Sequence, residues 1–159
     1  SMKTTIFLGA MLSLLVCLMF TGCSNSETNS TSRGLTDFAH IEEEYLATID
    51  SLNWPDGITL PDKLEDEDTG ASFQVGYGET RASYLWEYSW MKEWLDTYNT
   101  DPERAEKALE ELEKAFDMPY MGIDRCDDAT RNYLRENIDK AKLGDPSGFT
   151  ESIRANYAN

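Results

Sequence analysis

Histidine is nearly missing from this chain, which has one, His40, among 159 residues. Nucleophilic triads need a histidine or lysine base beside the nucleophile, and His40 is the only histidine on offer; zinc sites combine several His and Cys ligands, which this chain does not supply. Cysteine is also scarce: Cys17, Cys23 and Cys126 have no spacing that joins them to His40 in a four-ligand set. Basic side chains number 14 against 30 acidic ones, a formal charge of −16. Phosphate binding needs a basic surface, so nucleic acid is excluded as a partner, and anionic lipid head groups attract such a chain no better. Phosphate cradles are missing as well. Gly76-Tyr77-Gly78 is followed by Arg81 instead of a third fingerprint glycine, and no lysine stands at Walker spacing.

An acidic chain raises the question of calcium. Taking Gly70 as the glycine of a helix-loop-helix calcium loop puts Gly76 where the closing glutamate belongs. The run Glu65-Asp66-Glu67-Asp68 therefore reads as a solvated loop tip. Met118 and Met121 flank Pro119 near Cys126, a soft-ligand grouping, but thioethers in a loop usually fill gaps in a core. His40 reads as a surface or boundary residue. No metal and no cofactor is expected.

What is present begins with a leader. Ser1 ahead of Met2 reads as the remnant of a cleaved tag. Lys3 is the only charge before Glu27, and Ile6 to Phe20 is an apolar run of fifteen residues broken by Gly9 and Ser13. A spanning helix needs about 20 residues, whereas a run of this length suits a signal-peptide core. It ends in Phe20-Thr21-Gly22-Cys23, where small residues let the chain enter a peptidase extended. The segment resembles the lipobox of bacterial lipoproteins, with Phe20 where leucine is commonest. That resemblance implies cleavage after Gly22, lipidation of the Cys23 thiol and attachment to the outer face of the cell membrane through the lipid anchor. Residues 1–22 are then remnant and signal peptide, 23–34 the acylated cysteine and its tether, and 35–159 the displayed domain. Composition and thrift with cysteine favour a Gram-positive source; in a Gram-negative cell Ser24 is compatible with the outer membrane.

Loss of residues 1–22 removes Lys3 and no acid, which leaves 13 basic and 30 acidic side chains, a balance of −17. Cys126 is then the one free thiol, so no internal disulfide holds the domain and its core alone must do so. Ser24 to Gly34 carries no apolar side chain and behaves as a flexible spacer. The following 125 residues suffice for one domain that buries about two thirds of its unfolded surface.

Within that domain, Leu35, Phe38, Ile41, Tyr45, Ile49 and Leu52 recur at helical spacing, with Glu42, Glu43 and Asp50 toward water. Trp54-Pro55-Asp56-Gly57 stops this helix. Residues 53–79 form a long ordered loop in which Phe73, Val75 and Tyr77 alternate as in a short extended segment. A second helix covers Thr80 to Tyr98. Asp101-Pro102 starts a third, with Ala105, Ala108, Leu109, Leu112, Ala115 and Phe116 inward. Its exposed face carries Glu106 and Glu110 and sets Lys107 against Glu111. A fourth runs from about Asp127 to Leu143, with Tyr133, Leu134, Ile138 and Ala141 inward and Gly144 closing it. Asp145-Pro146 opens a last short helix bearing Phe149, Ile153 and Tyr157 on one side. The expected fold is an all-α bundle of four to five helices.

The second helix carries the most information. Trp86, Trp90, Trp94 and Tyr98 form one stripe, and Tyr84, Tyr88, Met91 and Leu95 an adjoining one. Ser83 and Glu87 fall inside this apolar arc; Arg81, Lys92, Glu93 and Asp96 fall outside it. A carboxylate there is costly unless paired or protonated. One reading pairs Glu87 with an arginine or lysine from another helix. The other makes a pocket in which Glu87 and Ser83 orient a ligand between the walls of Trp86, Trp90 and Trp94, whose faces stack on sugars or hold a cationic group. Two function classes follow. The first is a non-enzymatic accessory or binding module for an envelope protein partner or a small ligand. The second is a cell-envelope hydrolase using paired carboxylates, although 30 acids do not single out a pair.

The anchor reading has a direct check. The native protein partitions into the detergent phase of phase-separated cells, and Cys23→Ala yields an unprocessed or shed form; unchanged partitioning of that variant contradicts lipidation at Cys23.

Overall fold

A computed structural model of the chain describes residues 34–66 and 68–157. Cys23, the leader and the tether up to Arg33 lie outside the described residues. The fold is all-α, with five helices and one pair of two-residue strands.

The first helix, α1 (Phe38–Ser51), begins where the Asp37 carboxylate accepts the His40 amide at 3.0 Å. Ile41, Tyr45 and Ile49, four residues apart, are buried on one face. Leu35, assigned to that face by its spacing, instead precedes the cap and is 74% exposed. It belongs to β1 (Leu35–Thr36), which pairs antiparallel with β2 (Phe73–Gln74). The extended segment is thus shorter than the alternation through Tyr77 suggests. The long loop between α1 and β2 wraps back on the helix. Trp54 donates its indole N–H to the Ile49 carbonyl at 2.9 Å, and Leu64 is buried against α1 with its amide on Glu42 Oε2 at 3.2 Å. Glu42 is therefore half-buried, not turned to water. Asp66 departs from the solvated tip in the same way: its carboxylate lies 3.9 Å from the Arg81 guanidinium.

The second helix, α2 (Tyr77–Thr97), starts three residues earlier than Thr80. The cause is on α1. The Glu44 carboxylate accepts from the amides of Gly76, at 2.9 Å to Oε1, and Gly78, at 3.2 Å to Oε2, placing an anion at the positive end of α2. Gly78 permits this approach. A Cβ on it would stand 2.0 Å from the Ile41 carbonyl oxygen.

Asp101 and Pro102 open α3 (Pro102–Glu113) as their types require, the Asp101 carboxylate accepting from the Arg104 amide. Two 3₁₀ turns, Lys114–Asp117 and Pro119–Met121, then carry the chain to α4 (Asp128–Lys142), which Asp127 caps through the Thr130 amide at 2.8 Å. Gly144, at φ +78°, makes the turn into α5 (Ser147–Asn156). Glu111, expected on the exposed face of α3, is 1% exposed, with Lys107 and Lys114 reaching over it at 2.9 and 2.7 Å. Long lysine stems can cover a carboxylate while their ammonium groups stay wet.

Two cores share α2. On one side Ala82 joins Ile41, Tyr45, Ile49 and Leu64. On the other, Trp86, Trp90, Met91 and Trp94 pack with Ala108 and Leu112 of α3, Tyr120, Leu134 and Ile138 of α4 and Phe149 of α5. Among the described residues no helix is long and apolar enough to cross a membrane.

The contact of Gly78 with Ile41 predicts a large effect from one methyl group. Gly78→Ala must push α1 and α2 apart, at a cost of about 2–3 kcal/mol in urea unfolding; a change below about 0.5 kcal/mol contradicts the close approach.

Candidate functional site

A helix buried on most of its circumference has to find partners for most of the polar side chains it carries. Three hydroxyls on α2 do so locally, each donating to the carbonyl four residues back: Ser83 to Glu79, Ser89 to Leu85 and Thr97 to Glu93. Glu87 has no such recourse, because an ionised carboxylate only accepts. It is 6% exposed, and its Oε2 accepts the Tyr120 hydroxyl at 2.7 Å. Oε1 accepts no hydrogen bond among the described residues.

Among the described residues no arginine or lysine pairs with Glu87, which corrects the ion-pair reading. The nearby cations are held elsewhere: Arg125 on Glu79, Arg131 on Asp128 and the Cys126 carbonyl, and Arg81 on the Tyr77 hydroxyl and toward Asp66. Tyr120 takes the place of a cation because the 3₁₀ turn at Pro119–Met121 directs its fully buried ring beneath α2. A neutral donor offsets part of the desolvation and none of the charge. Burial accordingly pushes the Glu87 carboxyl up to about 7, with the Tyr120 hydrogen bond pulling the other way. The Tyr120 hydroxyl is driven well above the usual tyrosine range by its own burial and then by the Glu87 charge.

Glu87 lines a cavity of about 870 Å³ between α2, α4 and α5. Tyr84 and Leu85 from α2, Tyr133 and Leu134 from α4 and Tyr157 just after α5 form much of its wall. Tyr84 stands T-shaped to Tyr120 with ring centroids 5.3 Å apart, and the Tyr157 hydroxyl donates to the Tyr84 carbonyl at 3.3 Å, closing α5 against α2. Tyr133, which the α4 pattern turns inward, is 39% exposed and sits in this wall.

The tryptophans expected as walls are elsewhere. Trp86 is 1% exposed within the core, with no acceptor for its Nε1 among the described residues. Trp94 stacks on Tyr98 at 4.5 Å and meets Phe149 T-shaped at 5.4 Å. Trp90 donates its indole N–H to the Asn53 carbonyl at 3.0 Å and borders a separate, charged groove of about 690 Å³ between α3 and the loop after α1. Ser83, its hydroxyl engaged with the Glu79 carbonyl, does not line the cavity. Of the five side chains the sequence assigns to binding, Glu87 alone lines the main cavity.

Two neighbours at the cavity were not singled out as site residues. Asp127 lines it while capping α4, and the amide and hydroxyl of Thr130 hold its carboxyl below the ordinary aspartate range. Cys126 Sγ lies 3.8 Å from Met121 Sδ and 3.2 Å from an Arg131 guanidinium nitrogen, and burial pushes the thiol up. Among the described residues no three His, Cys, Asp or Glu side chains group as metal ligands. Met118, half-buried, packs on the larger core.

The Glu87 carboxyl makes stability depend on pH with a definite sign. Its folded pKa lies above the ordinary 4.5, so its contribution is full below 4.5 and is lost as pH rises to about 7. Relative to Glu87→Gln, which keeps an acceptor for Tyr120, the native chain loses about 3 kcal/mol between pH 4 and pH 8 in denaturant unfolding. A difference that does not vary with pH contradicts the buried, uncompensated carboxyl.

No family model, no curated protein and no solved structure matches this chain.

Proposed function

We propose that this protein is a lipid-anchored, extracytoplasmic binding module that receives a small ligand in the cavity between α2, α4 and α5. One observation carries the ligand reading: Glu87, 6% exposed, lines the cavity with one oxygen on Tyr120 and the other without a partner among the described residues. Burial of the carboxyl disfavours its charge, and a ligand that donates to the open oxygen or pairs with its charge offsets that penalty. The cavity also suits a small molecule in form, being concave, largely apolar and furnished with a few convergent polar groups. The anchor reading is supported by the resemblance of the segment ending in Cys23 to a lipobox and by the polar composition of Ser24 to Gly34, which suits a flexible spacer.

A second reading uses the same cavity for hydrolysis, and Asp127 favours it. Glycoside cleavage pairs an acid of raised pKa with a carboxylate that stays ionised, and Glu87 and Asp127 depart from their ordinary values in those two directions. It ranks second because Asp127 has a sufficient structural task as the α4 cap.

Titration of the isotopically labelled protein with mixtures of small amines, sugars and organic acids separates the outcomes. The binding reading expects amide shifts centred on Tyr84, Leu134 and Tyr157, and no new reducing ends from cell-wall glycan. Shifts confined to other surfaces contradict the cavity as the site. Glycan cleavage abolished by both Glu87→Gln and Asp127→Asn replaces the module with the hydrolase.

A further inference from the structure

We infer that the cavity is selective for organic ammonium ions, with Glu87 as the counter-charge and the tyrosine wall around the cationic head. The inference deepens the proposed function and rests on the cavity being a ligand site. Three features of the cavity agree on the sign of the ligand's charge.

The first is the unmet carboxylate. Glu87 Oε1 has no hydrogen-bond donor among the described residues, and no lysine or arginine pairs with the group. A positive head group is the partner that such a site lacks. An organic acid would bring a second negative charge beside the first.

The second is the composition of the wall. Tyr45, Tyr84, Tyr133 and Tyr157 line the cavity together with Leu85 and Leu134. Aromatic rings attract cations through their quadrupole, by about 0.5–2 kcal/mol for each well-placed ring, and the leucines suit an alkyl body.

The third is the balance of charge. Arg81 is the one lining side chain with a permanent positive charge among the described residues, and its guanidinium is occupied by the Tyr77 hydroxyl at 2.9 Å and by Asp66. Glu87 and Asp127 oppose it, and the whole chain carries −16. The field of such a protein concentrates cations at its clefts and repels anions.

Selectivity of this kind is coupled to pH through one group. Around Glu87 stand Tyr84 of α2, Tyr120 of the 3₁₀ turn, Tyr157 just after α5 and Cys126, all raised above their ordinary values, and Tyr45 of α1, at the cavity wall, is raised too. Asp127 is lowered. His40, on α1 beside Glu44, does not line the cavity. Glu87 is thus the group of this set that changes charge in the neutral range. Acidification removes the counter-charge, and the ammonium ion leaves.

Choline serves as a probe because its charge is permanent, and its uncharged carbon analogue, with tert-butyl in place of trimethylammonium, has the same shape. Butylamine represents primary ammonium ions. Calorimetry on the full protein at about pH 8 is expected to show both ammonium ions binding, with the neutral analogue at least about tenfold weaker. Choline is expected to bind about thirtyfold more weakly at pH 5.5, where only the ionised minority of Glu87 is competent. Glu87→Gln is expected to abolish both the charge preference and the pH dependence; the pH series on the native chain needs no variant. Equal binding of the neutral analogue, affinity that holds or rises on acidification, or no ammonium binding at millimolar concentration overturns the inference. If the neutral analogue or an organic acid nevertheless shifts the Tyr84, Leu134 and Tyr157 signals, the cavity remains the ligand site and only its ammonium selectivity falls. If no probe moves them, both fall.

Discussion

A helix enclosed by other elements draws on those elements to satisfy its polar groups, and α2 is shaped by that constraint along its length, with the Trp86 Nε1 as an exception among the described residues. Its first amides meet a carboxylate from α1, Glu44. Its buried hydroxyls turn back on their own carbonyls. Its one buried carboxyl meets a phenol, Tyr120, brought in by the turn after α3. The two cores of the domain lie on either side of α2, so each of these contacts also fixes how another element packs. Gly78 is glycine because Ile41 has to come that close for Glu44 to reach the amides.

The Glu87–Tyr120 contact joins stability to function. Had a lysine or arginine reached Glu87, the pair would have been electrostatically closed and its role structural. A phenol hydrogen-bonds the carboxyl without neutralising it, so the charge stays poorly compensated whenever the group ionises. The cavity lies at this point, with four helices contributing to its wall and tyrosines more prominent than tryptophans. A structural cost near neutral pH and an affinity for cations are then two consequences of one uncompensated carboxylate.

Local chemistry made much of the architecture legible in the sequence. Asp101-Pro102 and Gly144 act through their own φ angles and amides, and the Ile41, Tyr45, Ile49 spacing needs only helical geometry. The burial of Glu87 followed from the same periodicity, since its arc on α2 was too wide to turn wholly to solvent. The partner of Glu87 was not legible, because Tyr120 sits in a 3₁₀ turn whose residues show no period. The division of aromatics between core and cavity was hidden for a related reason. Periodicity says which residues share a face of α2 and not which helix packs on it; α3 and Phe149 cover the tryptophans, whereas α4 and α5 leave a gap over Tyr84 and Glu87. Glu44, Glu42 and Glu111 look like ordinary solvated acids, yet their roles come from amides and lysines that the fold brings to them.

The central claim concerns the ionisation of a single side chain, and it can be observed on that side chain. The carboxyl carbon of Glu87, identified by the signal missing from Glu87→Gln, can be followed by nuclear magnetic resonance from acid to mildly alkaline pH. The account predicts a midpoint near 7. A midpoint at the ordinary glutamate value of 4.5 would mean that solvent or a cation compensates the carboxylate, and would contradict it.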